Sequence, residues 1–161
     1  MSRTTKKLAA IASTTAAAAL TLAVTATPAM AWTAGNFTAT LNGTMVINAG
    51  IPAECTGSTL SGTIDANGNL TITSASVSGC GVTVTPNNLP WTGSLSNGVA
   101  KLNGFSMSAI GCTYGGNLTG SFSGSDLPVT ATFANQKVNK TSGWLCPGSA
   151  TVTAAYDFAA A

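Results

Sequence analysis

The feature that most limits the fold of this chain is a two-residue alternation of apolar and polar side chains, which begins shortly after Trp32. Phe37, Ala39 and Leu41 alternate with threonines, and comparable short runs continue to the C-terminus. No window has apolar residues at the i, i+3, i+4 and i+7 spacing of an amphipathic helix. Turn residues recur roughly every 8–12 positions, as in β-sandwiches and small barrels. We expect an all-β fold, namely an antiparallel β-sandwich of Ig-like or jelly-roll-like type with about 8–10 short strands.

Alternation and turn residues together delimit the predicted strands. Asn97-Gly98 lies between two alternating segments, and both residues tolerate the positive φ angles of a type I′ hairpin turn. The predicted strands cover residues 37–41 with their continuation at 44–47, and residues 60–64, 70–77, 81–85, 91–95, 99–102, 105–110, 114–122, 129–133 and 151–158.

One short template recurs within these strands: an apolar residue, a polar residue, glycine, a hydroxyl residue and a second apolar residue. The four copies occupy residues 41–45, 60–64, 91–95 and 118–122. In a strand, the apolar ends and the glycine share one face. Glycine in mid-strand marks a bend, a bulge or a close neighbour. We interpret the copies as core strands in which aromatic side chains such as Trp91 and Phe122 cover the space beside facing glycines.

Four cysteines are spread along the chain, and an even number in a secreted chain indicates two disulfides. Three pairings are possible. Loop length favours Cys55–Cys80 with Cys112–Cys146, because shorter loops are easier to close, but the other two pairings stay open. A metal site is not expected, because the chain has no histidine and no two cysteines lie within a few residues of each other.

The N-terminal segment has the three parts of a secretory signal peptide. Basic residues are followed by an Ala/Leu-rich stretch over residues 8–24, and Ala29 and Ala31 form an A-x-A cleavage pattern. The alternative is a membrane anchor, but the uninterrupted apolar run is far shorter than the roughly 20 residues that a span needs. We predict a signal peptide over residues 1–31, with Trp32 as the first residue of the secreted protein.

Residues 32–161 form the predicted secreted β domain. They carry three lysines and four carboxylates, so their net charge is −1, whereas the whole chain is +2. A near-neutral domain lacks the basic patch that binds nucleic acid or anionic lipid. We therefore expect no nucleic-acid partner, no stable membrane insertion after cleavage, and an extracellular or cell-surface location.

Two motifs resemble known functional signals but have simpler explanations. Residues 89–93 read L-P-W-T-G, the pattern that sortases cut, yet 68 residues follow Gly93. We expect instead that Pro90 begins a strand and that Trp91 enters the core. The run after Asp65 resembles a calcium loop, but Leu70 and Ser76 occupy the positions that require glycine and glutamate. A hairpin turn explains that run.

Candidate catalytic groups are scarce. The absence of histidine excludes Ser-His-Asp and Cys-His arrangements. The cysteines are expected to be oxidised, which removes thiol nucleophiles. The four carboxylates of residues 32–161 are far apart in sequence, at positions 54, 65, 126 and 157. We predict a protein that is not an enzyme and that has no cofactor.

Aromatic residues are the best candidates for ligand contact. Trp144 lies two residues before Cys146 in a loop-like stretch, and an aromatic ring held by a disulfide would lose little entropy on binding. We predict possible ligand contacts at Trp144 and Tyr114. The alternative for Trp144 is that its ring packs on the Cys112–Cys146 bridge.

Four short segments carry a family resemblance: S-G-C-G over 78–81, N-L-P-W over 88–91, G-C-T-Y-G-G-N-L over 111–118, and C-P over 146–147. They resemble small secreted bacterial β-proteins of the PraB group, which is named for activation of alkane oxidation and is associated with the cell surface and biofilms. The resemblance implies a secreted, surface-associated, non-enzymatic protein. It assigns no functional residue.

Three functions are compatible with these observations. The first is a secreted structural or cell-surface and extracellular-matrix interaction protein, with the cell surface, a polysaccharide or a second copy of itself as partner. The second is a carbohydrate or small-ligand binding module that uses exposed aromatics. The third is a secreted enzyme inhibitor with residues 137–145 as its exposed loop.

Overall fold

The computed structural model describes residues 31–161, and it contains eleven β-strands. No helix in this part of the chain is long and apolar enough to cross a membrane. Residues 1–30 of the predicted signal peptide, including Ala29, lie outside the described residues. The strands are β1 (Gly35–Leu41), β2 (Met45–Asn48), β3 (Pro52–Cys55), β4 (Gly57–Ile64), β5 (Asn69–Ser78), β6 (Val84–Pro86), β7 (Trp91–Ser96), β8 (Val99–Ala109), β9 (Cys112–Phe122), β10 (Val129–Ser142) and β11 (Ser149–Ala160).

The sheet closes on itself, so the expectation of a β-sandwich is wrong. Strand β1 pairs with β4 on one side and with β11 on the other, from Phe37 opposite Ala160 to Leu41 opposite Tyr156. This pairing turns the sheet into a closed antiparallel barrel of eight strand positions. Sandwiches and barrels share the same alternation and turn spacing, so only this long-range pairing distinguishes the two.

Several strands are segments of one longer strand. β1 and β2 lie end to end along β11, and β6 and β7 lie end to end along β8. β3 pairs with β2, and β4 pairs with β1, so β3 and β4 also lie end to end. The barrel is therefore an up-and-down meander, in which neighbours in the chain are neighbours in the wall and successive turns alternate between its two ends.

Mid-strand glycines permit the strong coiling of the wall. A Cβ at Gly62, Gly93 or Gly120 would overlap a carbonyl oxygen of the adjacent strand. Neighbouring backbone thus covers all three glycines, and an aromatic ring, that of Phe133, adds to the cover only at Gly120. Gly43 is different again, because it has open space around it and a φ of +84° at the break between β1 and β2.

The middle of the barrel is filled by inward-facing apolar side chains. Trp91 is 1% exposed at the start of β7, as expected for a core strand rather than a sorting signal. Its ring centroid lies 5.2 Å from that of Phe105. Tyr156 is also buried, and its hydroxyl lies 2.7 Å from Ser58 Oγ. Because the Ser58 hydroxyl donates to Ser76 O at 2.8 Å, Tyr156 is the donor to Ser58.

The two ends of the barrel have different chemistry. The polar end carries the turns at residues 65–68, 97–98 and 123–128, which are rich in Asp, Asn, Ser and Gly. The opposite end carries the turns at residues 49–51, 79–83, 110–111 and 143–148. Both disulfides, Cys55–Cys80 and Cys112–Cys146, lie at this second end, in the pairing that loop length favours.

Candidate functional site

A cavity of about 500 Å³ opens at the disulfide-bearing end of the barrel, and we call it the cup. Strands β2, β3, β6, β8, β9, β10 and β11 and the turns at that end all contribute to its wall. The cup is lined by Ile47, Ala49, Ile51, Ala53, Val82, Val84, Phe105, Met107, Ser108, Ala109, Ile110, Cys112, Tyr114, Val138, Trp144, Leu145, Pro147 and Val152.

The size of the inward-facing side chains places the cup at this end. Near the turns the wall carries Ala49, Ala53 and Ala109, whose small side chains leave the interior open. Deeper in the barrel, Phe105 separates the cup from a void of only about 10 Å³ that Trp91 also lines. A void of that size holds at most about one water molecule. The cup is therefore closed at its base by the packed core.

The mouth of the cup is surrounded by exposed apolar side chains. Ile51 is 84% exposed, Ile110 80%, Trp144 89% and Leu145 85%, and Val82 is exposed to a smaller extent. Each of the four turns at this end contributes at least one of them. Single exposed apolar residues are common, but a contiguous group marks a binding surface or an aggregation liability. We call this group the rim.

One rim residue occupies a backbone conformation that its side chain disfavours. Ile110 and Gly111 have φ angles of 52° and 74°, and at the polar end Asn97 and Gly98 have nearly the same values, 50° and 75°. Both pairs form two-residue hairpin turns, for which Asn-Gly is the favoured sequence. A β-branched residue at positive φ is an outlier. Ile110 thus lowers stability in two ways, because its apolar side chain is exposed and its backbone conformation is disfavoured. Residues at functional sites often break local rules in this manner.

The interior of the cup offers almost no polar partner to a ligand. The Tyr114 hydroxyl donates to Pro147 O at 2.9 Å. Ser108 also lines the cup, but its hydroxyl already bonds to Thr113 Oγ1 at 2.7 Å and accepts from Asn87 Nδ2 at 2.6 Å. Among the described residues, none that lines the cup carries a charge.

Three carboxylates accept hydrogen bonds away from the cup, two of them at the polar end and one on the outer wall. A hydrogen bond from the Asn69 side chain lowers the pKa of Asp65, and this carboxylate also accepts from two backbone N–H groups of its own turn. The Thr33 hydroxyl lowers the pKa of Asp126 in the same way. Side-chain hydrogen bonds also lower the pKa of Asp157 on the outer wall. Within residues 31–161, no group of three His, Cys, Asp or Glu side chains could hold a metal ion.

The structure brings the two predicted contact residues together. Trp144 and Tyr114 both line the cup, and the Trp144 ring is exposed rather than packed on the Cys112–Cys146 bridge. Of the predicted cleavage residues, Ala31 is exposed and Trp32 is buried.

Sequence reasoning missed the rest of the rim, above all Ile51, Ile110 and Leu145. The sequence did contain a signal for them. Along the chain, every second turn carries large apolar residues, and the turns between these are polar. The clearest case is isoleucine before Gly111, at the position that asparagine takes before Gly98.

The comparisons with known proteins agree with the resemblance found in the cysteine-bearing segments. A family model described as alkane oxidation protein activator PraA/PraB-like matches residues 5–160. No curated protein and no solved structure matches the chain. The family match spans almost the entire sequence. The chain therefore belongs to the PraA/PraB-like family of alkane oxidation protein activators.

Proposed function

We propose that this chain is a secreted, non-enzymatic protein that binds a small hydrocarbon-like molecule in the cup. The observation that carries the proposal is an apolar cavity of about 500 Å³ that opens between exposed apolar side chains. Small-molecule sites in proteins are typically concave, largely apolar and roughly 300–1,000 Å³ in volume. An eight-stranded barrel can enclose one small ligand of this kind.

The chemistry of the wall favours a ligand without polar groups in its buried part. A hydroxyl or amide transferred into an apolar site without a partner costs roughly 2–7 kcal/mol. An alkyl chain has no such cost, and each buried methylene contributes about 0.8 kcal/mol. Affinity should therefore rise about fourfold for each carbon added, until the chain fills the cup.

The family description supports an alkyl ligand, because alkanes are the fully apolar molecules named in it. The two disulfides support secretion, since such bonds persist in oxidising compartments. A carbohydrate is less suited to this site, because sugar hydroxyls would find few free partners in its wall. An inhibitory loop is also less supported, because most of residues 137–145 belong to β10 rather than to a loop.

Displacement of a fluorescent apolar dye tests the proposal. The dye Nile red should bind with a rise in emission, and n-alcohols of increasing length should displace it with the fourfold increments given above. The hydroxyl of these alcohols can stay in water at the mouth. Maltose should not displace the dye. Equal displacement by short and long alcohols would contradict an alkyl-binding cup.

A pair of tryptophan substitutions tests whether the dye binds inside the cup. Ala53→Trp places a large ring at a half-buried position that lines the cavity and should abolish dye binding. Ala159→Trp makes the same substitution at an exposed position outside the cup and should leave binding unchanged. Loss of binding in both variants, or in neither, would count against this site.

A second candidate function is adhesion to an apolar surface through the rim. The placement of exposed apolar side chains on four turns of one end favours it. The two functions separate in the Ala53→Trp variant, which keeps Ile110, Trp144 and the rest of the rim. If retention on an octyl-coated surface survives this substitution while dye binding is lost, adhesion does not require the cup.

A further inference from the structure

We propose that the Cys112–Cys146 disulfide sets the affinity of the cup by holding two rim turns as one unit, and that a dithiol which opens this bridge releases the ligand. The inference rests on the proposed function and identifies the covalent bond on which binding depends. It treats Cys112 and Cys146 as positioning residues, because their bridge orders the side chains that would contact the ligand.

The bridge holds the part of the rim that carries the most exposed residues. Residues 143–148 join β10 to β11 without belonging to a strand, and they include Trp144 and Leu145. A backbone hydrogen bond holds the C-terminal end of the loop to β10, since Lys140 N donates to Gly148 O at 2.9 Å. The bridge from Cys146 to Cys112 fixes the loop immediately after the two apolar residues.

The same loop lies directly on the turn that carries Ile110. Gly143 has a φ of +116°, and a Cβ there would lie 2.6 Å from Gly111 O and 2.7 Å from Cys146 Sγ. This close fit and the bridge together hold the loop against the β8–β9 turn. The bridge thereby connects two of the four turns that form the rim.

Release of the bridge should change the conformation of the loop as well as its mobility. Leu145 has a φ of 61°, in the left-handed region that residues with a side chain disfavour. Surrounding structure must hold a residue in such a conformation. When the adjacent Cys146 is freed, Leu145 can return to a favoured conformation, and the contact surface loses its shape. A binding surface that must be ordered again binds more weakly.

This bridge is also the more accessible of the two. Cys112 and Cys146 are both partly exposed, whereas in the other bridge only Cys80 is partly exposed and Cys55 is completely buried. In thiol–disulfide exchange, a thiolate of the dithiol attacks one sulfur and forms a mixed disulfide. The second thiol of the reagent then displaces the remaining protein sulfur. The reagent leaves as a cyclic disulfide, and its two protons end on the Cys112 and Cys146 thiols.

The experiment compares two double variants of the oxidised full-length secreted protein in the Nile red assay. Cys112→Ser with Cys146→Ser should weaken dye binding about tenfold, because two rim side chains lose their fixed positions. The matched control is Cys55→Ser with Cys80→Ser. It removes a bridge whose cysteines do not line the cup and which anchors only the rim turn that carries Val82, the least exposed rim residue, so it should change the dissociation constant less than threefold, although it also lowers the melting temperature.

A second perturbation keeps both cysteines but strains their surroundings, because a Cβ at Gly143 would lie close to Cys146 Sγ as well as to Gly111 O. Gly143→Ala pushes the loop away from Gly111 O and should also weaken binding, while near-ultraviolet circular dichroism shows that the barrel is folded. Equal losses in the two disulfide variants, or unchanged binding in the Cys112/Cys146 variant, would overturn the inference. Failure of the wild-type protein to bind the dye would instead overturn the proposed function.

Discussion

Exchanging residues between two equivalent turns tests whether the rim is maintained at a cost to stability. Ile110-Gly111 and Asn97-Gly98 have nearly identical φ angles, but they lie at opposite ends of the barrel. Ile110→Asn gives the rim turn the residue that the type I′ geometry favours. Asn97→Ile makes the reverse change at the polar end. The protein thus contains its own matched control for the backbone contribution.

The magnitude follows from the backbone conformation. The left-handed region costs a residue with a Cβ about 1–2 kcal/mol, and asparagine tolerates it better than a β-branched residue does. Ile110 is 80% exposed, so its removal forfeits little buried area. We expect Ile110→Asn to raise the free energy of unfolding by about 1 kcal/mol and Asn97→Ile to lower it by about the same amount. For a domain of this size, the corresponding shift in melting temperature is about 3–5 °C.

Urea unfolding of the oxidised protein measures both changes, because a shift in midpoint at constant slope is a change in stability. The same samples enter the dye assay, where Ile110→Asn should weaken binding and Asn97→Ile should not. Ile110→Val keeps the apolar, β-branched side chain and should leave both properties unchanged. A decrease in stability for Ile110→Asn, or unchanged binding, would refute the argument that isoleucine is there for function.

Three further predictions concern the core. Ser58→Ala leaves the buried Tyr156 hydroxyl without its acceptor and should cost about 1–3 kcal/mol in urea unfolding, whereas Tyr156→Phe should cost about 1 kcal/mol. Burial raises the pKa of Tyr156 to about 12. Its unfolded-state pKa is about 10, so stability present below pH 10 should fall by roughly 2–3 kcal/mol as pH rises to 12, and Tyr156→Phe should remove that dependence. Gly120→Ala should lower the melting temperature by several degrees, because the new Cβ overlaps Thr132 O, whereas Gly148→Ala, with open space around it, should change it little. A smaller loss for Ser58→Ala than for Tyr156→Phe, or equal effects of the two glycine substitutions, would contradict the packing described.

Local patterns predicted most of the strands, because alternation and turn residues act over a few positions, but they missed β3 and the second half of β10. Trp91 was expected in the core and is buried there, and the cysteine pairing with the shorter loops is the one present. Closure was not predictable in this way. It depends on Phe37 lying opposite Ala160, a contact between residues at the two ends of the sheet, and no local pattern encodes it. The glycines offered a partial signal, since strongly coiled strands require close approach of neighbouring backbones.

The cup was missed for a different physical reason. Residues 105–110 were predicted as one strand because Ile110 has high strand propensity, yet β8 ends at Ala109 and Ile110 lies in the turn. The predicted strand therefore hid a turn that carries a residue of the rim. The small side chains that leave the cup open, such as Ala53 and Ala109, have no distinctive sequence pattern. The cavity follows from their position in the closed barrel.

Nuclear magnetic resonance with a bound alkyl chain tests the central claim most directly. Protein with labelled methyl groups and excess n-decanol should give intermolecular nuclear Overhauser effects from the chain methylenes to Met107, Val138 and Val152, which line the cup. Methyl groups near the polar end, such as that of Ala66, should give none. An alcohol that contacts both ends equally, or that contacts only the exposed rim and never Val138 or Val152, would contradict binding inside the cup.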